Sequence, residues 1–177
     1  MENKKTFLAE VIKNKVETIR AFYREYKGYH LVDLRIYRKT SGGFVPGNGL
    51  LFRVELLDEV IGLLKKVGKQ EPDQTKKPGI IRKNLYQVIQ VQRRAYLGTP
   101  LIDIRVCEDT EGGLIFTKNG IAFRVDKLSE VLDMLETTKQ TIDKILHFSG
   151  PLIPEGTREE QGSTPLIPTP IISAEPK

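Results

Sequence analysis

Arginine and aromatic side chains alternate along one stretch of this chain, with a single residue between each pair. The run reads Arg20, Phe22, Arg24 and Tyr26. Guanidinium groups bind phosphates, and exposed aromatic rings stack on unpaired bases whatever their sequence. Both groups on one open surface would therefore suit single-stranded nucleic acid.

The same chemistry recurs further along the chain, on stretches that also alternate between apolar and polar residues. The candidate binding residues are Arg20, Phe22, Arg24, Tyr26, Lys27, Arg35, Tyr37, Arg53, Arg94, Tyr96, Arg105, Lys118 and Arg124. Alternation also places Gln90, Gln92 and Cys107 on the outward side. The alternative is an ordinary charged sheet surface, on which Asp33 pairs with Arg35 and Asp103 pairs with Arg105.

Residues that could support catalysis or hold a metal are sparse. The two histidines, His30 and His147, have no metal-ligand spacing around them, and Cys107 is the single cysteine. Neither Gly42-Gly43 nor Asn48-Gly49 belongs to a phosphate-binding loop of the P-loop or Rossmann type. We therefore expect no catalytic residues, no metal site and no cofactor, and a protein that is not an enzyme.

An internal repeat organises these residues. Residues 19–64 align with a later stretch at an offset of 70, which becomes 71 after one added residue, and 19 of the 46 positions are identical. Leu31–Arg35 (LVDLR) lies beside Leu101–Arg105 (LIDIR). Such self-similarity indicates a duplicated structural unit.

Each copy of the repeat changes from a two-residue to a helical period. Val32, Leu34 and Ile36 alternate with polar residues, which predicts a strand with one buried face. Gly42-Gly43 predicts a turn, Asn48-Gly49 predicts a second turn within a hairpin, and the same pairs recur as Gly112-Gly113 and Asn119-Gly120. Apolar residues then follow at helical spacing, as Leu57, Val60, Ile61 and Leu64 and as Leu128, Val131, Leu132 and Leu135.

The predicted fold class is therefore α+β, with two tandem ββββα units that form an intramolecular pseudo-dimer. The expected first strands lie around Ile19–Tyr26 and Ile89–Tyr96. Predicted boundaries are an extension over 1–15 with a short amphipathic helix, units at 16–67 and 80–148, a linker over 68–79, and a tail over 149–177. The tail holds six of ten prolines and two Pro-Leu-Ile-Pro segments, which indicates disorder, or docking segments for a protein partner.

Charge is distributed unevenly along the chain. The formal net charge is +5, of which residues 151–177 contribute −2 and residues 1–150 contribute +7. A basic body favours a polyanionic partner, since bound cations release counterions from phosphates; a solvated basic surface without a partner is the alternative. The low cysteine content and the lack of a long apolar run favour a cytoplasmic protein that does not contact membranes.

The repeat resembles a known nucleic-acid-binding family. Tyr26-Lys27-Gly28, Leu31–Arg35 with Tyr37, and Pro46-Gly47 are similar to the DNA-binding domain of the transcriptional coactivator positive cofactor four and its bacterial relatives. The second copy matches through Tyr96, Gly98, Leu101–Arg105 and Gly120.

This resemblance implies four strands and a helix paired as a dimer, and binding of single-stranded or melted DNA with little sequence preference. Lys27, Arg35 and Tyr37 match the family's pattern. The overall plan is also similar to the Whirly and Pur-alpha families, which bind nucleic acids.

We therefore expect a single-stranded nucleic-acid-binding protein, most simply for DNA with RNA as the alternative, that acts in transcription, replication or repair. In a bacterium it would be associated with the nucleoid. Higher assemblies of the pseudo-dimer are compatible with this expectation. The alternative function is a protein-interaction module of the same fold, which would hold a partner through its sheet or its tail.

Overall fold

The computed structural model describes residues 4–70 and 78–148, and it has an α+β fold. Two four-stranded antiparallel sheets are each followed by a helix, which confirms the expectation of two ββββα units. The first unit consists of β1 (Lys5–Ile12), β2 (Glu17–Tyr26), β3 (Tyr29–Thr40), β4 (Gly43–Arg53) and α1 (Leu57–Gly68). The second consists of β5 (Gly79–Arg82), β6 (Gln87–Tyr96), β7 (Thr99–Thr110), β8 (Gly113–Arg124) and α2 (Leu128–Phe148).

Strands follow each other in chain order within both sheets, so every connection is a hairpin. The β2–β3 turn holds Lys27 at φ 50° and Gly28 at φ 76°, and Leu97 and Gly98 repeat this at φ 48° and 76°. Two successive positive φ angles match the twist of a tight two-residue hairpin. Lys27 therefore lies at the tip of a hairpin.

Lys5–Ile12 form a strand, so the short helix predicted within residues 2–15 is wrong. β1 pairs with β2, and the register shifts between Phe7 and Ala9. The extra residue, Leu8, brings two successive residues toward the core, so that the apolar positions imitate helical spacing. The first unit consequently begins at Lys5, within the segment predicted to precede it. The strands expected to be first in each unit, around Ile19–Tyr26 and Ile89–Tyr96, are therefore the second strands, β2 and β6.

The predicted hairpin turns at Asn48-Gly49 and Asn119-Gly120 are also wrong, because both pairs lie within continuous strands, β4 and β8. A Cβ atom on Gly49 would overlap the carbonyl oxygen of Leu34, and one on Gly120 would overlap that of Ile104. Both glycines lie beside a shift in strand register. Glycine is needed here for close backbone approach rather than for a turn.

The helices pack on sheets to which they are not directly connected. α1 contacts mainly β5 and β6, while α2 contacts mainly β1 and β2, and the two helices also contact each other. The inner faces of both sheets and both helices form one continuous hydrophobic cluster. The predicted helix stripes lie in it, since Leu57, Val60, Ile61 and Leu64 are all buried.

Polar contacts also join the two units. Arg93 on β6 donates hydrogen bonds to the carbonyl oxygens of Gly68 and Gln70 at the end of α1, where helix carbonyls lack intrahelical partners. Lys65 on α1 pairs with Glu136 on α2 at 2.8 Å. Each unit therefore completes the other's helix contacts.

None of the helices in the described ranges has the length and apolar character needed to span a membrane. Most of the predicted linker and the whole predicted tail lie outside those ranges.

Candidate nucleic-acid interface

The predicted binding residues of the first unit that lie on its strands share one face of the first sheet. Ile19, Ala21 and Tyr23 turn inward to the core, so the residues between them turn to the other side, which we call the first outer face. Strand register places Arg20 opposite Arg35 and Phe22 opposite Asp33 across the β2–β3 pair. The alternation deduced from sequence therefore assigns these residues to a shared face.

A buried carboxylate lies at the centre of the first outer face. Asp33 has no solvent exposure, and Arg24 lies 2.9 Å, Arg35 3.4 Å and Lys5 3.6 Å from its oxygens. The three cationic side chains remain about one quarter exposed. Asp33 thus holds the three cations together, whereas sequence alternation predicted it to be solvent-exposed.

Aromatic rings form a row beside these charges. The ring centroids of Phe7 and Phe22 are 5.7 Å apart, as are those of Phe22 and Tyr37. Phe22 is nearly buried, at 8% exposure, while Phe7 and Phe44 at the ends of the row are 53% and 43% exposed. We call Phe7, Phe22, Tyr37 and Phe44 the ring row.

Cations contact the ring row directly. Lys5 Nζ lies 3.8 Å from the Phe22 ring centroid and donates a 3.0 Å hydrogen bond to the Tyr37 hydroxyl. The Arg20 guanidinium lies 4.9 Å from the Tyr37 centroid and 4.2 Å from that of Phe44. Such cation–π contacts hold rings and charges in fixed relative positions.

Sequence reasoning missed three residues of this site: Lys5, Phe7 and Phe44. Lys5 and Phe7 lie on β1, which the sequence predicted as part of a helix. Phe44 lies on β4, in the stretch between the two predicted turns at Gly42-Gly43 and Asn48-Gly49. The sequence did not show that β1 pairs with the strand that carries Arg20–Tyr26, because the bulge in β1 interrupts its alternation of inward and outward residues.

The remaining candidates of the first unit lie toward the other end of the sheet. Tyr26 and Tyr29 are paired across the hairpin, and each is half exposed. Lys27 Nζ lies 5.3 Å from the Tyr26 ring centroid, and the Arg53 guanidinium lies 4.5 Å from that of Tyr29. This end of the face therefore also combines cations with accessible rings.

The second sheet keeps the charged centre of this arrangement. Asp103 is buried, with Arg94 at 3.2 Å and Arg105 at 3.3 Å from its oxygens. Tyr96 and Lys118 are exposed, and Arg124 pairs at the surface with Asp126. The Asp–Arg pairs considered as an alternative from sequence are thus present in both units.

Three residues predicted to be exposed on the second sheet are buried: Gln90, Asp103 and Cys107. Gln90 is 4% exposed, and Cys107 is not exposed at all. Burial raises the pKa of the Cys107 thiol, opposed by the nearby Arg105 guanidinium. Alternation identifies which face a residue is on, but not whether neighbouring side chains cover it.

Native Cys107 should therefore resist thiol reagents. A low thiolate population and complete burial both oppose attack, so modification by Ellman's reagent at pH 8 should be about 100-fold slower or more than in 6 M guanidinium chloride. The release of chromophore over time measures both rates. Rapid modification of the folded protein would contradict the buried position.

The described part of the chain contains no group of three or more His, Cys, Asp or Glu side chains placed to hold a metal ion. Comparison with protein-family models and with curated proteins found no match for this chain.

Proposed function

We propose that this protein binds single-stranded nucleic acid, most simply DNA, with little sequence preference, and acts in transcription, replication or repair. The ring row, with Lys5 and Arg20 against its rings, is the observation that carries the proposal. Exposed rings offer stacking surfaces that every base can use, and adjacent cations attract the phosphates between bases. No catalytic group is assigned.

Electrostatics on the first outer face favour an anionic strand. Lys5, Arg20, Arg24 and Arg35 face the carboxylates of Asp33 and Glu10, which leaves an excess of positive charge. The Asp33 carboxylate is buried beneath its cations, so an approaching phosphate meets guanidinium and ammonium groups before it meets the acid. This arrangement fixes the cations without presenting an exposed negative charge at the centre.

The proposal includes an intramolecular pseudo-dimer of the positive cofactor four type. The exchange of helix contacts between the two units supports it, since each unit then supplies the helix that covers the other's sheet. The repeat supports it as well, because two related halves within one chain can pack as two subunits do. The resemblance through Lys27, Arg35 and Tyr37 extends the same proposal to the binding residues.

Fluorescence anisotropy with a labelled oligo-dT tests the proposed function. Binding should be micromolar or tighter at low salt and should weaken as salt rises. Arg20→Ala combined with Lys27→Ala should reduce affinity about 10-fold and lower the slope of log affinity against log salt by about 1.4, the value for two lost phosphate contacts on a single strand.

A matched control removes the same charge from the helices. Lys66 and Lys144 are exposed residues on α1 and α2. Replacing both with Ala should change the affinity less than about 3-fold, because long-range charge effects are largely screened in salt. Failure of the wild-type protein to bind oligo-dT at low salt, or equal losses in the two double variants, would overturn the proposal.

A protein-interaction module is the second candidate. One observation favours it: Leu85 and Tyr86, in the turn between β5 and β6, are 76% and 71% exposed and line an open cleft with Glu108, Asp109 and Thr110. Exposed apolar side chains of this size are typical of protein contact surfaces. Absence of oligonucleotide binding would favour this candidate.

A further inference from the structure

The two units differ at the positions where the first carries its rings. Strand register shows that Arg20, Phe22 and Tyr37 correspond to Gln90, Gln92 and Cys107. Each pair lies 70 residues apart, and each occupies the same face of its sheet. At these positions the second unit thus lacks both the cation and the two rings.

The charged centre, in contrast, is common to both units. Asp33 with Arg24 and Arg35 corresponds to Asp103 with Arg94 and Arg105. The second sheet has the same strand order and register without the ring row. The second unit therefore shows that this strand order and register form without the ring row.

Exposed rings on the second sheet are isolated. Phe116 pairs with Cys107 across the β7–β8 register and is 57% exposed, while Tyr96 lies at the hairpin end and is 60% exposed. Within residues 4–70 and 78–148, the ring–ring and cation–π contacts all belong to the first unit. Among the described residues, exposed rings that contact cations therefore lie on the first sheet alone.

Resting on the proposed function, we propose that bases of the bound strand stack on the ring row of the first sheet, at Phe7 and Phe44, while the second sheet contributes phosphate contacts alone. The two described units then differ in role, since base stacking falls on the first sheet and not on the second. Phe7 packs edge-on against Phe22, and Phe44 lies against the Arg20 guanidinium, so both rings have neighbours that order them before the strand arrives. Less conformational entropy is then lost when a base stacks on them. Arg94 and Arg105 in the second unit offer charge without such a surface.

Measuring two protein variants against two ligands separates the contribution of base stacking from that of phosphate contacts. The ligands are a 12-nucleotide oligo-dT and an abasic strand of the same length, which keeps the phosphates and lacks the bases. One variant combines Phe7→Ala with Phe44→Ala. Its matched control combines Ile115→Ala with Phe116→Ala, since these apolar side chains on the other sheet are 55% and 57% exposed.

We expect Phe7→Ala with Phe44→Ala to weaken oligo-dT binding about 10- to 100-fold, as alanine substitution of stacking rings does, and to change abasic-strand binding less than about 3-fold. The Ile115→Ala and Phe116→Ala control should change the binding of either ligand less than about 3-fold. Circular dichroism and a urea unfolding curve check that both variants retain the fold.

Two results would overturn the inference while the proposed function stands. One is an equal loss in the control variant, which would assign stacking to both sheets. The other is an equal loss on the abasic strand, which would mean that the rings support the fold or the charges rather than the bases. If the wild-type protein fails to bind oligo-dT at low salt, the proposed function itself fails.

Discussion

A fragment of residues 1–70 should fail to fold as a monomer, although it contains a complete ββββα unit. α1 packs mainly on β5 and β6, and the first sheet is covered mainly by α2. The fragment would therefore expose both an apolar sheet face and an apolar helix stripe, including Val60, Ile61 and Leu64, which are at most 4% exposed in the whole chain. A unit of this size cannot bury enough apolar surface by itself to offset its conformational entropy.

Light scattering and urea unfolding of the fragment measure this expectation. We expect either an unfolded chain or a self-associated species, and no cooperative transition from a monomer. Co-expression with residues 71–177 should restore a one-to-one complex with cooperative unfolding, because the missing helix contacts return. A monomeric 1–70 fragment that unfolds cooperatively would contradict the interdependence of the units and the proposed pseudo-dimer.

Asp33→Asn should lower the free energy of unfolding by about 2–4 kcal/mol, because three cations would lose their shared counter-charge in a mostly buried position. Lys5, Arg24 and Arg35 all lie within 3.6 Å of the Asp33 carboxylate, which is fully buried. The amide is nearly isosteric, so the loss reports the charge rather than a cavity. Urea denaturation with a constant m-value measures it.

Asp126→Asn supplies the control for this substitution. The Asp126–Arg124 pair is 2.9 Å long, but its side chains are 57% and 64% exposed. Solvent screens such a pair, so the expected loss is below about 1 kcal/mol. If the two substitutions cost the same, Asp33 does not organise the cations of the first outer face.

Local periodicity was sufficient to predict the central strands and both helices. Val32, Leu34 and Ile36 alternate cleanly because one face of β3 packs on the core throughout. The helix stripes were equally clear, since Leu57, Val60, Ile61 and Leu64 recur at the spacing of one helix face. Comparison of two copies strengthened both predictions.

The predictions failed where a strand departs from regular pairing. The bulge at Leu8 disturbs the alternation of β1, and the glycines at 49 and 120 were interpreted as turns although they permit close approach of neighbouring strands. Both features depend on the partner strand, which is distant along the chain. A local pattern contains no information about that partner. The residues of β1 are therefore compatible with a helix or a strand, and the Asn-Gly pairs with a turn or a bulge.

Sequence alone determined that the chain is duplicated, that each copy changes from strands to a helix, and that cations and rings share an outward face. These properties follow from residue spacing along a single element. Tertiary structure alone decided that Phe7, Phe22, Tyr37 and Phe44 join in one row, since they come from four strands that only sheet register brings side by side. It also decided that each helix covers the other unit's sheet. An apolar stripe on a helix must be buried against some apolar surface, but the sequence of the helix does not say which surface that is.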